Sequence, residues 1–426
     1  KLSPNRSKNF KIMISDNYKK IISELASLTG LNLFAAGISY VFTIVIANTL
    51  GPNDFGVYSY IMVWGGFAAL LIIFSTESTI LVQYAKTNDK QGVFNLTQTI
   101  KFFFLFIWVA SMSLWYRFTE LGLVISKNPE VIIGLIILSL ANFRISEFYE
   151  ISKNNVRYAK IYFIERMFYL FLLGLFLYTN SLDILTIFSC LFVATSCSLL
   201  FQIKDNFNLI KNFEIEKLQN VSGLFKENLP LVLIQLSTFI YGGFSRVILE
   251  SKLGMEQLGI YSAGWQIILV ITIFQGQVVR VWRSDLSNAL INKKRGDIKD
   301  LISSYLLFST LPVFILAIFI SVFSYEIVSI LFTDEYILLA TLLPIFSLFF
   351  VFINLDSLAK ILWISIGNRR GYLMISLFFS IMLLVILRAI PNNSSLELFA
   401  LSIFSMFACS VITFLLVFYF KYLNKI

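Results

Sequence analysis

The chain has 426 residues, 58% of them hydrophobic and 14% charged, with aromatics at 16% and 44 phenylalanines, whereas soluble proteins average about 25% charged residues. Too few polar side chains remain to cover a water-soluble surface, and so apolar a chain is not disordered. The 34 basic and 25 acidic residues leave a net charge of +9, and histidine is absent, which removes the commonest general base, zinc ligand and triad member.

A helix crossing about 30 Å of hydrocarbon at 1.5 Å per residue needs about 20 mainly apolar residues. Twelve such blocks are predicted in chain order, at 25–50, 56–81, 102–115, 131–151, 161–178, 182–203, 229–249, 259–281, 301–323, 337–358, 372–387 and 396–420. Residues 1–24 precede them as a basic segment without the apolar core or cleavage site of a signal peptide. The expected organisation is a six-helix lobe over 25–203, a linker over 204–228 and a second six-helix lobe over 229–426. Cys190, Cys197 and Cys409 fall inside apolar blocks, where a thiol behaves as a small hydrophobe, so no disulfide framework or metal site is indicated.

Orientation follows from the basic residues of short loops, which are retained in the cytoplasm. With the N-terminus inside, the inner segments hold 29 of the 34 basic residues; the other five are Arg117, Lys127, Arg246, Lys252 and Arg388. The expectation is an inner-membrane protein with both termini cytoplasmic. The net charge is then explained by anionic lipid headgroups, and no nucleic-acid partner is expected. The loops leave no room for a soluble catalytic domain, and no GxxxxGK[ST] loop is present, so an ATP-hydrolysing site is not expected.

Leu50-Gly51-Pro52-Asn53-Asp54-Phe55-Gly56-Val57-Tyr58-Ser59 recurs as Leu253-Gly254-Met255-Glu256-Gln257-Leu258-Gly259-Ile260-Tyr261-Ser262, at a constant offset of 203. Each copy fills the turn between the first two spans of its half. Gly51 and Gly254 suit the left-handed conformation that ends a helix. Six spans repeated in the same orientation imply halves related by a pseudo-twofold axis along the membrane normal, with a cavity between them and alternating access as the mechanism.

At these residues, and at Leu331-Phe332-Thr333-Asp334-Glu335-Tyr336, the sequence resembles the polysaccharide transporters of the multidrug, oligosaccharidyl-lipid and polysaccharide exporter superfamily, which include O-antigen and capsule repeat-unit flippases. The resemblance covers nearly the whole chain. It implies an all-α, MATE-like fold of twelve helices in two lobes, a cavity lined by the first, second, seventh and eighth spans, and translocation of undecaprenyl-diphosphate-linked oligosaccharides for surface polysaccharide assembly. It implies a transporter rather than an enzyme, with no bound cofactor, driven by a proton, sodium or the membrane potential. Membrane lipid is the expected partner, joined by a polysaccharide polymerase and a chain-length regulator. This chain departs from the family's pattern in the seventh span, where Ser245 replaces the aspartate that often precedes the arginine. Two alternatives remain open: a cation-coupled small-molecule exporter of the same fold, and a membrane-embedded polysaccharide polymerase or ligase.

Charges within spans cost about 2.5–3.5 kcal/mol on insertion scales and are functional candidates by default. Arg280 and Arg283, three residues apart on one helix face, suit a lipid diphosphate at the cytoplasmic mouth, with Arg246 and Arg144 as further candidates. Glu77 and Arg280 stand at the repeat offset, which suggests a gate pair. Arg144 and Asp356 are expected to be neutralised within their own lobes. Asn32, Tyr40, Gln235, Gln266 and Gln275 are candidate sugar contacts or interhelical hydrogen-bonding groups. Pro312, Pro344, Gly65-Gly66 and Gly242-Gly243 are candidate bending points, and Trp115, Trp282 and Trp363 are expected interfacial anchors.

Overall fold

Where water is absent, backbone N–H and C=O groups must bond within their own segment, and so apolar a chain is driven to helix. The computed structural model describes residues 4–118, 128, 130–152, 154–291, 295–392 and 394–423; among them there are helices and no strand. The first half comprises α1 (Pro4–Ile73), α2 (Thr76–Thr87), α3 (Lys90–Phe118), α4 (Glu130–Ala141), α5 (Ser146–Ile151), α6 (Asn155–Tyr178), α7 (Ile184–Asp205) and the short α8 (Phe207–Lys211). The second comprises α9 (Leu218–Phe239), α10 (Ser245–Ile291), α11 (Arg295–Tyr305), α12 (Leu311–Val322), α13 (Ser324–Leu331), α14 (Leu339–Ser365), α15 (Arg369–Ala389) and α16 (Leu396–Phe418).

Ten helical stretches among the described residues are long and apolar enough to cross a membrane. Two of them are doubled. α1 breaks at Gly51 (φ 72°, ψ 171°) and α10 at Gly254 (φ 86°, ψ 176°), each break ending one crossing and starting the next. Pro52 opens the new helix after Gly51, where its missing N–H costs nothing. The ten stretches therefore contain twelve crossings in two lobes, and the chain is a multi-pass membrane protein. The longest interface between elements runs along α1 and α10, the helices that carry the repeated turns.

Several local expectations are corrected. The second span ends at Ile73 rather than continuing to residue 81, because Phe74 (φ 47°) and Ser75 (φ 55°) both adopt left-handed backbone. Partners from the other half hold this break: Asn228 Nδ2 donates to the Phe74 carbonyl at 2.9 Å, and the Ser75 hydroxyl donates to Gln235 Oε1 at 3.0 Å. Phe74 is also stacked between Phe104 and Phe225, with centroids 4.1 and 5.1 Å away. The fourth span is interrupted between α4 and α5. Gly65-Gly66 lies in unbroken helix, whereas Gly242-Gly243 sits in a π-helical turn over Ile240–Phe244. Pro312 follows a second π turn, over Leu306–Thr310, and Pro344 lies within α14. Trp363 is no interfacial anchor: it is buried, and its indole N–H donates to the Phe414 carbonyl at 3.0 Å. Trp282 is half-buried against Tyr305 and donates to Ser304, while the Trp115 side chain lies outside the described residues.

Candidate functional site

The π turn widens the seventh crossing just before Arg246, and its glycines let the rings of Phe239 and Trp265 pack directly against the backbone. The Arg246 Nε–H donates to the Gly242 carbonyl, and the guanidinium carbon lies 5.8 Å from the centre of the Trp265 ring. Carbonyl and ring together hold the planar group in place. Arg246 lines a cavity of about 480 Å³ with Gln235 and Thr238 of α9, Trp265 of the eighth crossing, and Asp356 and Lys360 of α14; Leu70 of the first half also lines it.

The charges in this wall do not cancel. Lys360 Nζ lies 2.7 Å from Asp356 Oδ2, one helical turn away, and the Tyr372 hydroxyl donates to the other Asp356 oxygen at 3.1 Å. That carboxylate is committed to Lys360. Ser245, which occupies the position before Arg246, is buried and donates to the Tyr241 carbonyl at 2.6 Å. Among the described residues no carboxylate pairs with Arg246. Two cations and one anion therefore line the cavity, and among the described residues no acceptor takes the terminal N–H groups of the guanidinium.

The first half handles its charges differently. Arg144, at the interruption of the fourth span, pairs through Nη2 with Glu165 of α6, and Thr195 lies 3.4 Å away. Lys101 of α3, 1% exposed, pairs with Glu147 at 3.2 Å and donates to the Arg144 carbonyl at 2.9 Å. The Ile145 N–H donates to Gln202 Oε1 at 3.0 Å. Two cations meet two carboxylates, and the same side chains satisfy the backbone exposed by the broken helix. Within the cluster, Arg144 Nε and Glu165 Oε2 are buried with no hydrogen-bond partner among the described residues.

Of the residues singled out in the sequence, the structure brings Arg246, Gln235 and Asp356 together at the cavity. Arg144 is held in its own lobe. Tyr40 and Gln266 are half-buried and do not line the cavity, and Glu77 is exposed on α2, beyond the break that separates it from the second span. The side chains of Asn32, Gln275, Arg280 and Arg283 lie outside the described residues, and with them the Glu77–Arg280 pairing. Trp265 and Lys360 were not singled out. The i, i+4 spacing of Asp356 and Lys360 was a readable signal of that ion pair.

The two-lobed, twelve-crossing bundle is a multi-pass membrane fold, and the comparisons match that fold. The fold matches an inward-facing MATE-family multidrug resistance transporter of the MOP superfamily with a TM-score of 0.65, over 94% of this chain and 95% of the other at 14% identity. An outward-facing MATE-family transporter gives 0.57 over 94% of both chains at 15% identity. A MOP superfamily transporter from Pyrococcus furiosus, described as having a binding pocket of reverse polarity that suggests a different function, gives 0.59 over 93% and 94% at 16% identity. No curated protein matches by sequence. A family profile described as polysaccharide biosynthesis protein matches residues 21–282, more than half of the chain. The chain belongs to that family.

Proposed function

We propose that the protein is a flippase for undecaprenyl-diphosphate-linked oligosaccharides, moving them by alternating access from the cytoplasmic to the outer leaflet of a bacterial cytoplasmic membrane. The observation that carries this reading is Arg246, which has no carboxylate partner among the described residues and lines a cavity walled mainly by the second lobe. Keeping such a charge inside a span is costly, and an anionic cargo repays that cost when it binds. Gln235 and Thr238 beside it offer hydrogen-bonding groups to sugar hydroxyls. The distribution of basic residues supports both termini lying in the cytoplasm, where lipid-linked precursors are made, and a polymerase and chain-length regulator would receive the product outside.

The cation-coupled exporter reading is less well supported. It needs a deep carboxylate free to take a proton or sodium, and Glu147, Glu165 and Asp356 each already hold a basic side chain. The pocket polarity described for the Pyrococcus furiosus relative supports using wall charge to separate functions within the fold. The test is the leaflet location of undecaprenyl-linked repeat units in a deletion strain lacking any second flippase. Accumulation facing the cytoplasm, reversed by the wild-type chain and not by Arg246→Ala, is expected; normal transfer to the outer leaflet in the deletion strain would refute the proposal.

A further inference from the structure

The motifs that mark the family have no role in the cavity, and their positions point elsewhere. A Cβ added to Gly56 would stand 2.0 Å from the Met255 carbonyl oxygen, and one added to Gly259 would stand 1.8 Å from the Pro52 carbonyl oxygen. Residues 52 and 56 become 255 and 259 at the repeat offset, so the contact is reciprocal. The second and eighth crossings start backbone against backbone, at a separation that only glycine permits. Phe55 and Leu258, beside the two glycines, are fully buried there.

A second contact stands next to the first. Asn48, in the last turn before Gly51, donates through Nδ2 to the Leu331 carbonyl at 2.9 Å and accepts from the Thr333 N–H at 3.2 Å. The buried Tyr336 hydroxyl donates to the Ala47 carbonyl at 2.9 Å, and its ring meets Phe55 edge-on. The Leu331–Tyr336 segment of the second lobe thus grips the end of the first crossing through three hydrogen bonds. At the repeat position of Asn48 the contact is a different one. Ser251, the residue at the offset from Asn48, donates within its own helix to the Ile248 carbonyl at 2.9 Å.

We propose that Asn48, Tyr336 and the Gly56/Gly259 contact form a latch that holds the turn-side mouth of the cavity shut, and that each transport cycle must release it. The proposal rests on the alternating-access reading but not on the identity of the cargo. The latch combines two kinds of interaction. The glycine contact sets how closely the lobes approach, and the hydrogen bonds of Asn48 and Tyr336 set how much the closed state is favoured. Each bond is exchanged for one to water when the mouth opens, so its net weight is modest. Loss of both Asn48 bonds is expected to shift the closed-to-open ratio about 5- to 100-fold.

The test is a spin-label distance between Asn53→Cys and Glu256→Cys, exposed positions on the facing turns, in the full chain in lipid nanodiscs with Cys190, Cys197 and Cys409 replaced by alanine. No cargo is added. A single short distance is expected in this parent, with a longer one appearing in Asn48→Ala and dominating in Gly259→Ala. Tyr336→Phe keeps the ring and loses one bond, and should give an intermediate mixture. Because Gly259→Ala risks misfolding, the decision rests on the two milder variants: parent-like distances in both Asn48→Ala and Tyr336→Phe would overturn the latch. Failure of the cargo reading shows separately, as normal distances in Arg246→Ala together with undiminished leaflet transfer.

Discussion

Replacing Arg246 by alanine separates a functional cation from a structural one, because the two effects have opposite signs. The side chain spends its Nε–H on the Gly242 carbonyl and leans on Trp265, so its terminal N–H pair is what remains for a ligand. Two charge-assisted hydrogen bonds to a phosphate, at about 1.5 kcal/mol or somewhat more each, put the loss of binding near 3–4 kcal/mol, or about 160- to 900-fold. The same substitution removes a charge that meets no carboxylate among the described residues and costs about 2.5–3.5 kcal/mol in a span, offset in part by the carbonyl bond and the ring contact. The melting temperature in detergent should therefore stay level or rise. Lysine at this position keeps the charge but loses the fork and the planar contact, and should bind about 5- to 20-fold more weakly than arginine. Calorimetric titration with a soluble short-chain polyprenyl diphosphate, beside a thermal melt, reads both quantities. A large drop in melting temperature with unchanged affinity would show that Arg246 serves the fold and would refute the reasoning.

Other outcomes follow from the same charges and backbone angles. Asp356→Asn leaves Tyr372 an acceptor while releasing Lys360, which raises the cavity from one excess positive charge to two; tighter diphosphate binding, and a steeper weakening of it with salt, should appear in the same titration. Lys101→Met alone strands Glu147 in the first lobe and should cost about 3–5 kcal/mol in thermal or denaturant unfolding, whereas Lys101→Met with Glu147→Leu should recover most of that loss. Gly254→Ala meets no atom within 4 Å, so only its left-handed backbone is strained, and about 1–2 kcal/mol of stability should be lost in the same unfolding measurement, with the spin-label distance across the turns unchanged.

The twelve crossings were legible because hydropathy and length are local properties, and the turns at Gly51 and Gly254 because glycine marks a backbone angle that other residues resist. The break at Phe74–Ser75 was not legible. Neither residue favours left-handed backbone, and the break is held by Asn228 and Gln235, more than 150 positions away in the chain. Lys101 was read as a loop residue because a lysine near the end of an apolar block normally reaches water; here Glu147, 46 positions on, receives it inside the lobe. Arg246 was visible as an intramembrane charge, but its isolation depends on the neighbours brought to it by α14 and the eighth crossing. The cation was visible in the sequence; the absence of a carboxylate partner among the described residues was visible only in the packing.

The central claim, movement of a lipid-linked anionic cargo through this chain, is tested most directly with purified protein in proteoliposomes containing an undecaprenyl-diphosphate-linked oligosaccharide in both leaflets. After the exposed sugar is cleaved by an added glycosidase, transfer from the inner leaflet renews the exposed pool. Wild-type protein should make nearly all of the glycan cleavable over time, whereas Arg246→Ala, folded and at equal density, should leave the inner half protected as in protein-free vesicles. Continued protection of the inner half with wild-type protein under an imposed proton gradient, sodium gradient or membrane potential would contradict it.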